Sequence, residues 1–489
     1  MIELTPAEIA AASGARLVSG EHDAGPGDRP ARAVIDSRTV EHGDLFFGLA
    51  GERAAGGEFA REAIEAGAWG VVVAPGYAQD LPATGTRIFA AEDPLAGLGG
   101  LAARWLVSLR AGGCRVVGIT GSTGKTSTKD ILLAMLDAVA GGRAHANREN
   151  WNTEIGLPLT VLEASQGVEL MVLEMAMRGM GQIGELARIA RPEVGLITNI
   201  GPVHLELVGT IERVAEAKAE LIAEMPGGGT CVVPAAEEAL RPHLRPDVRT
   251  ITFAQWRAEP ASEDALAQTA AVADAAADVR ALSVEPARDG LWVEVAAGAE
   301  RGTLELGFTQ AHNVTNALAA IGAAHALGIP LEALAEGARN VAFSSLRGEE
   351  IDLPGGVLII NDCYNANPVS MRAALEHLAQ TAARRGASRA IAVLGDMREL
   401  GGDAHRYHEE IGARAAGAAQ VVVAVGEFAD AYERGYGGAG EVMRAAEAAD
   451  AADLVREVVR DGDVVLVKAS RGVGLERVTE ALTEPSIGD

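Results

Sequence analysis

Cysteine is scarce in this chain: Cys114, Cys231 and Cys363 lie far apart, and none has a second cysteine at CxxC spacing. That excludes a disulfide framework or a thiolate zinc site and fits a reducing compartment. No apolar run approaches the roughly 18 residues needed to cross a bilayer. The opening residues, Met1 to Thr5, lack the basic segment and apolar core of a secretory leader. The expected setting is therefore the cytoplasm, without membrane insertion. Positive charge is also short, with 42 Lys and Arg against 68 Asp and Glu, a formal net charge of −26. Such a surface repels nucleic acid and anionic lipid, so neither is an expected partner. Any phosphate site must then be cationic locally, through backbone N–H groups, lysine or arginine, and metal.

What is present is enough apolar material for several cores. The 489 residues are 48% hydrophobic and 22% charged, which suggests a soluble globular chain of about three domains of roughly 150 residues. Residues 1–110 read as a small mixed α/β unit, with a buried strand at Ala68 to Val73 and a plausible linker at Gly112-Gly113. Residues 111–345 alternate short apolar runs with helical patterns. Arg115 to Thr120, Leu170 to Glu174 and Gly195 to Ile200 read as buried parallel strands, which predicts a doubly wound sheet. The stretch from Glu259 to Asp278 serves equally as a surface insertion or a weak helix. Residues 346–489 repeat the pattern on a third sheet, with strands at Val357 to Asp362, Ala390 to Gly395, Val421 to Gly426 and Val464 to Val467.

The sharpest local signal is Thr120-Gly121-Ser122-Thr123-Gly124-Lys125-Thr126, between a strand and the helical run Lys129 to Ala138. Strand, glycine turn and helix start aim backbone N–H groups and a helix dipole at one anion. Lys125 would reach terminal phosphates and Thr126 would ligate Mg²⁺. The usual first glycine of such a loop is Ile119 here. Glu174 ends an apolar strand, where a carboxylate holds Mg²⁺ or is simply a solvated strand end. His204 follows the next strand, as a ligand or a structural histidine. Lys218 shares the apolar stripe of Ile211, Val214, Leu221, Ile222 and Met225, while Glu212, Glu216, Glu220 and Glu224 mark the solvated face. An inward lysine loses hydration and becomes a neutral amine; a snorkelling one keeps its head in water.

Together these segments resemble the Mur ligases over nearly the whole chain. The loop from Thr120 to Thr126 matches the family's central signature, Glu174 its metal-binding glutamate, and His204 the histidine that helps hold a second Mg²⁺. Lys218 matches the lysine that the family carries as a carbamate, an anionic metal ligand. The adenine-side motif is matched by His312, Asn313 and Asn316, with Gln310 in place of a glycine. The resemblance makes Arg347 and Asp362 ATP-side residues of the third domain. The stretch Asp362-Cys363-Tyr364-Asn365-Ala366-Asn367-Pro368-Val369-Ser370-Met371 is similar to that of members adding D-alanyl-D-alanine, and implies substrate-side roles for Tyr364, Asn365 and Asn367. Leu394 to Gly401, His408 and Lys468-Ala469-Ser470-Arg471-Gly472 are further marks of that branch. Ser37 and Arg38 resemble the UDP-binding segment, and Asn150, Asn152 and Thr153 the muramoyl-peptide motif.

The resemblance implies a fold of three α/β domains: a UDP-substrate domain, a central P-loop ATPase domain on a doubly wound parallel sheet, and a Rossmann-like ligase domain. It implies an enzyme using ATP and Mg²⁺ to join D-alanyl-D-alanine to UDP-N-acetylmuramoyl-tripeptide through an acyl phosphate. A monomer is expected. Sibling Mur or folylpolyglutamate-type ligases share the loop and the lysine, and the Tyr364 to Met371 stretch argues against them. The readings from other classes are a small-molecule kinase and a P-loop protein that binds nucleotide without ligation.

Overall fold

A computed structural model describes residues 2–20, 28–51, 54–82, 85–203, 205–256 and 274–484. Three sheets follow one another along the chain. The first has the order β1-β5-β4-β3-β2, from β1 (Arg16–Ser19), β2 (Ala33–Val34), β3 (Leu45–Phe47), β4 (Gly70–Val73) and β5 (Arg87–Ala90). Only β1 runs antiparallel to its neighbour. The helix Pro94–Ala111 follows, started by Asp93, whose carboxylate accepts the N–H groups of Leu95 and Ala96. Its inward side, with Leu98, Leu101, Trp105 and Leu109, is fully or almost fully buried. That side belongs to one continuous apolar core that also contains Phe47 and Phe89 of the first sheet and Leu173 and Leu186 of the central unit.

The central sheet has nine strands in the order β14-β13-β12-β11-β10-β9-β6-β8-β7. They are β6 (Arg115–Thr120), β7 (Ala144–Ala146), β8 (Leu170–Glu174), β9 (Val194–Ile197), β10 (Thr230–Pro234), β11 (Arg249–Phe253), β12 (Val279–Pro286), β13 (Leu291–Ala297) and β14 (Glu300–Leu306). Strands β7 to β12 pair in parallel around β6. The chain leaves β6 for β7 and then β8 on one side and later crosses to β9 on the other, so the C-terminal end of β6 is a topological switch point, where open α/β sheets bind ligands.

Three expectations need correction here. The parallel alternation does not continue to residue 345, because β12, β13 and β14 form an antiparallel meander. Its signature was the alternating burial along Leu291–Ala297. The strand expected to reach Ile200 stops at Ile197, since the residues beyond it turn to strap the phosphate loop. The helix after that loop begins at Lys125, not Lys129, and runs to Ala140. Most of the Glu259 to Asp278 stretch lies outside the described residues.

The third sheet has the order β15-β16-β20-β17-β18-β19, from β15 (Glu349–Asp352), β16 (Leu358–Asn361), β17 (Ala390–Gly395), β18 (Val421–Val425), β19 (Glu441–Ala445) and β20 (Val464–Lys468). All pairs but β15–β16 are parallel. Its two cores contain only residues of the third unit. The three cysteines are all buried and unpaired. Among the described residues, no helix is long and apolar enough to cross a membrane.

Candidate active site

The phosphate loop leaves β6 at Thr120, whose hydroxyl donates to the Met175 carbonyl at 2.9 Å. Gly121 has φ +145°, and a Cβ there would sit 1.9 Å from the Thr198 hydroxyl oxygen; Gly124 has φ +75°, and a Cβ there would meet Asn316 Oδ1 at 2.4 Å. Both positions need glycine for conformation and for space. The residues after β9 hold the loop: Asn199 accepts the Ser122 N–H through its carbonyl and the Thr123 N–H through its side chain. The Ser122 hydroxyl donates to the Gly201 carbonyl and accepts the Gly201 N–H. Ile119 is buried in β6, so the loop begins at Gly121.

Lys125 opens the following helix and folds its ammonium back on the Gly121 carbonyl at 2.8 Å. Enclosure by protein pushes its pKa down; Glu174 opposes that and Arg347 adds to it. The next residue, Thr126, donates to Glu174 Oε2 at 2.8 Å. Glu174 is 2% exposed, and its backbone is clamped by Asn147, which accepts its N–H at 2.7 Å and donates to its carbonyl at 2.9 Å. A threonine hydroxyl and a carboxylate beside a phosphate loop are hard oxygen donors. That set suits Mg²⁺, which keeps several waters and is shared with substrate phosphates. Among the described residues, no group of three or more His, Cys, Asp and Glu side chains gathers as a protein-only metal cage. His204 lies outside the described residues.

Lys218 sits on the helix Ile211–Glu224 and is 1% exposed, among buried Val214, Leu221 and Ile222. That burial rules out the snorkelling alternative. Its pKa falls well below the ordinary lysine value, first because it is desolvated and then because Lys125 repels it, with Glu220 and Glu174 pulling the other way. The three groups Lys125, Glu174 and Lys218 are therefore within one another's electric field. The helix departs from its expected pattern at two places. Ile211 is 42% exposed at the helix start. Glu220 is not a solvated-face residue: its carboxylate accepts the N–H groups of Gly181 and Gly184, at the start of the helix Gln182–Ala190.

Across from the loop stands the third sheet, and between them lies a cavity of about 1110 Å³. Arg347 stacks 3.9 Å above the Tyr364 ring, just after Leu346, which adopts φ +62°. Asp362, at the C-terminal end of β16, pairs with Lys468, at the end of β20, at 2.7 Å. Burial, the nearby His377 and Lys468 all push the pKa of His312 down. Asn316 donates to Asn313 at 2.7 Å, so this pair packs on Gly124 of the loop.

Most of the sequence-predicted residues line this cavity: Ser122 to Thr126, Asn150, Asn152, Thr153, Glu174, His312, Asn313, Asn316, Arg347, Asp362, Tyr364, Asn365 and Asn367. Several also have partners within the protein. Asn152 donates to Glu174 Oε1 at 2.8 Å, so it orients the carboxylate. Asn367 caps the helix Pro368–Arg385 by accepting the Ser370 N–H. Ser37 and Arg38 are not brought to the cavity. Ser37 donates to Glu62, and Arg38, 81% exposed, makes a bidentate pair with Asp36 that lowers the Asp36 pKa to about 2. Sequence reasoning missed Asn147 and Asn199, both near C-terminal strand ends at the switch point, and singled out Lys468 only as part of a motif.

This geometry is similar to that of known proteins. The Mur ligase middle domain matches residues 119–324, and the Mur ligase glutamate ligase domain matches residues 346–471. A UDP-N-acetylmuramoyl-tripeptide–D-alanyl-D-alanine ligase of Mycobacterium tuberculosis is 36% identical, with 99% of this chain and 98% of that protein aligned. A solved UDP-N-acetylmuramoylalanyl-D-glutamyl-2,6-diaminopimelate–D-alanyl-D-alanyl ligase of Acinetobacter baumannii superposes with a TM-score of 0.80 at 26% identity, covering 98% of each chain. A MurF ligase of Thermotoga maritima in complex with ADP does so with a TM-score of 0.75 at 29% identity, covering 92% of this chain and 96% of that one.

Proposed function

The chain belongs to the Mur ligase family, and from that premise we propose that it joins D-alanyl-D-alanine to the terminal carboxylate of a UDP-N-acetylmuramoyl-tripeptide, driven by ATP, in the cytoplasm. The observation that carries this reading is one cavity with Lys125, Thr126 and Glu174 on one wall and Arg347, Asp362 and Lys468 on the other. A carboxylate is a poor electrophile, so ATP first phosphorylates it; the dipeptide amine then attacks the acyl phosphate and phosphate departs. Two anions must meet in the first step. The loop N–H groups, Lys125 and Arg347 place positive charge where the γ-phosphate and the carboxylate approach each other. Apposition of the third sheet to the loop keeps water from the intermediate.

Thr126 and Glu174 would hold Mg²⁺, with His204 and a modified Lys218 completing the set; the metal would supply neutralisation of phosphate charge. Burial disfavours the charged form of the Lys218 amine, and the neutral form is the one that adds to CO₂ to give a carbamate and a proton. The product is an anion, which the Lys125 charge attracts where it would repel an ammonium. Residues 1–110 are assigned to the uridylyl substrate, 111–345 to ATP and 346–489 to the dipeptide and closure, with the protein acting as a monomer.

The test is phosphate release from ATP with UDP-muramoyl-tripeptide, with and without D-alanyl-D-alanine. Sustained release that needs both substrates is expected. Release indifferent to the dipeptide, or a stable phosphorylated product, overturns the reading.

A further inference from the structure

Six Lys and Arg side chains line the cavity: Lys125, Arg178, Arg347, Arg398, Lys468 and Arg471. Five have partners. Lys125 donates to the Gly121 carbonyl, Arg347 stacks on Tyr364, Arg398 donates to the Gly472 carbonyl, and Lys468 and Arg471 pair with Asp362 and Glu476. The Arg178 guanidinium makes no hydrogen bond and has no acid within 4.0 Å among the described residues, in a chain with 68 acids for 42 bases. An unpaired guanidinium at a binding cavity is a ready partner for an anion.

The turn that carries Arg178 is fixed without any ligand. The Gln182 side-chain oxygen accepts the N–H groups of Arg178 at 2.6 Å and Gly179 at 3.1 Å. Gln182 opens a helix whose first turn is tied by Glu220 to the helix of Lys218. Arg178 is four residues beyond Glu174, after β8, and Asn150 and Thr153 follow the neighbouring strand β7. A fixed backbone lowers the entropic cost of using a long side chain.

We propose that Arg178 is a substrate-positioning residue that binds a carboxylate of the acyl substrate other than the one that reacts. This rests on the ligase reading above. A glutamyl residue joined onward through one carboxyl keeps its other carboxyl free. A diaminopimelate residue with one carboxyl activated keeps its second one. The shared chemistry is a planar carboxylate, which guanidinium meets in a two-point pair.

The experiment is a double-mutant cycle on the full-length enzyme, using Arg178→Ala and three tripeptide substrates: the native one, one with the free glutamyl carboxylate amidated, and one with lysine replacing diaminopimelate. On the native substrate, Arg178→Ala is expected to raise the tripeptide KM by about 10- to 100-fold. Turnover and the KM for ATP should remain within about threefold. The substrate lacking the correct carboxylate should weaken wild type by the same factor and Arg178→Ala no further, which identifies the carboxylate. Full additivity in both arms overturns the proposal, as does a rise confined to the KM for ATP. Arg178→Gln keeps the polar stem and should behave like Arg178→Ala if charge is what matters. If wild type itself shows no dipeptide-dependent phosphate release, the ligase reading has failed and this inference falls with it. If wild type works and the cycle is additive, only the inference fails.

Discussion

Between the first and central sheets, Phe47, Phe89, Leu98, Trp105, Leu173 and Leu186 share one apolar core. Between the central and third sheets, the described contacts are largely polar. Thr309 donates to Glu350, and the Gln310 amide donates to the Gly348 carbonyl. Apolar burial is non-directional and strong, roughly 25 cal/mol per Å², so the first junction behaves as one solid body. Polar contacts exchanged for water contribute about 1 kcal/mol each. The second junction is therefore the one that can open, and the chemistry sits in it.

Three substitutions sharpen that contrast. The largest effect on activity should come from the polar side. Lys218→Ala is expected to lower turnover by about 100- to 1000-fold, the order seen when one charge-stabilising group is removed from a site, while the thermal midpoint changes little. Partial rescue of that variant by small carboxylic acids would identify the carbamate role. Wild-type turnover without them would contradict it. The largest effect on stability should come from the apolar side. Trp105 is fully buried, with its ring N–H donating to the Ala164 carbonyl at 2.9 Å. Trp105→Ala should cost about 3–5 kcal/mol and lower the unfolding of the first and central units together in calorimetry. Separate melting of the first sheet would break the picture of one shared core.

The smallest expected effect concerns pH and the third unit alone. His408 is fully buried; its Nε2 accepts the Met397 N–H at 2.9 Å and its Nδ1 faces the Ala404 carbonyl at 2.6 Å. Only the neutral ring with its proton on Nδ1 satisfies both contacts. Burial holds its pKa below the usual 6.5, against the pull of the Ala404 carbonyl and Asp396 and with the push of His405. Below pH 6.5 the unfolded chain takes up a proton that the folded chain refuses. The stability contributed by the neutral ring is thus present above that pH and is lost as pH falls beneath it. The third unit's transition should move down between pH 6.5 and 5 and should move less in His408→Leu. An equal acid shift in both proteins would remove His408 as the cause.

How much of this was legible in the sequence depended on the range of the interaction. The strand, glycine turn and helix around Lys125 are local, and so is the apolar stripe that turns Lys218 inward. Both were readable. The partners that Asn152, Asn367 and Glu220 have within the protein were not legible, because those groups arrive from elsewhere in the chain or belong to a cap. Ser37 and Arg38 are taken up by Glu62 and Asp36 within the first unit, which motif resemblance does not report. The β12 to β14 meander was not legible because the Ala-rich stretch before it obscures its start.

The buried thiols have a practical corollary. Enclosure raises the pKa of Cys114 to about 11 and also raises those of Cys231 and Cys363, so all three are poor nucleophiles at neutral pH. Alkylating probes should pass the native molecule by. A single cysteine introduced on the outer surface of each unit would thus accept a fluorophore cleanly, and the separation of two such labels would follow the opening of the polar junction directly, turnover by turnover.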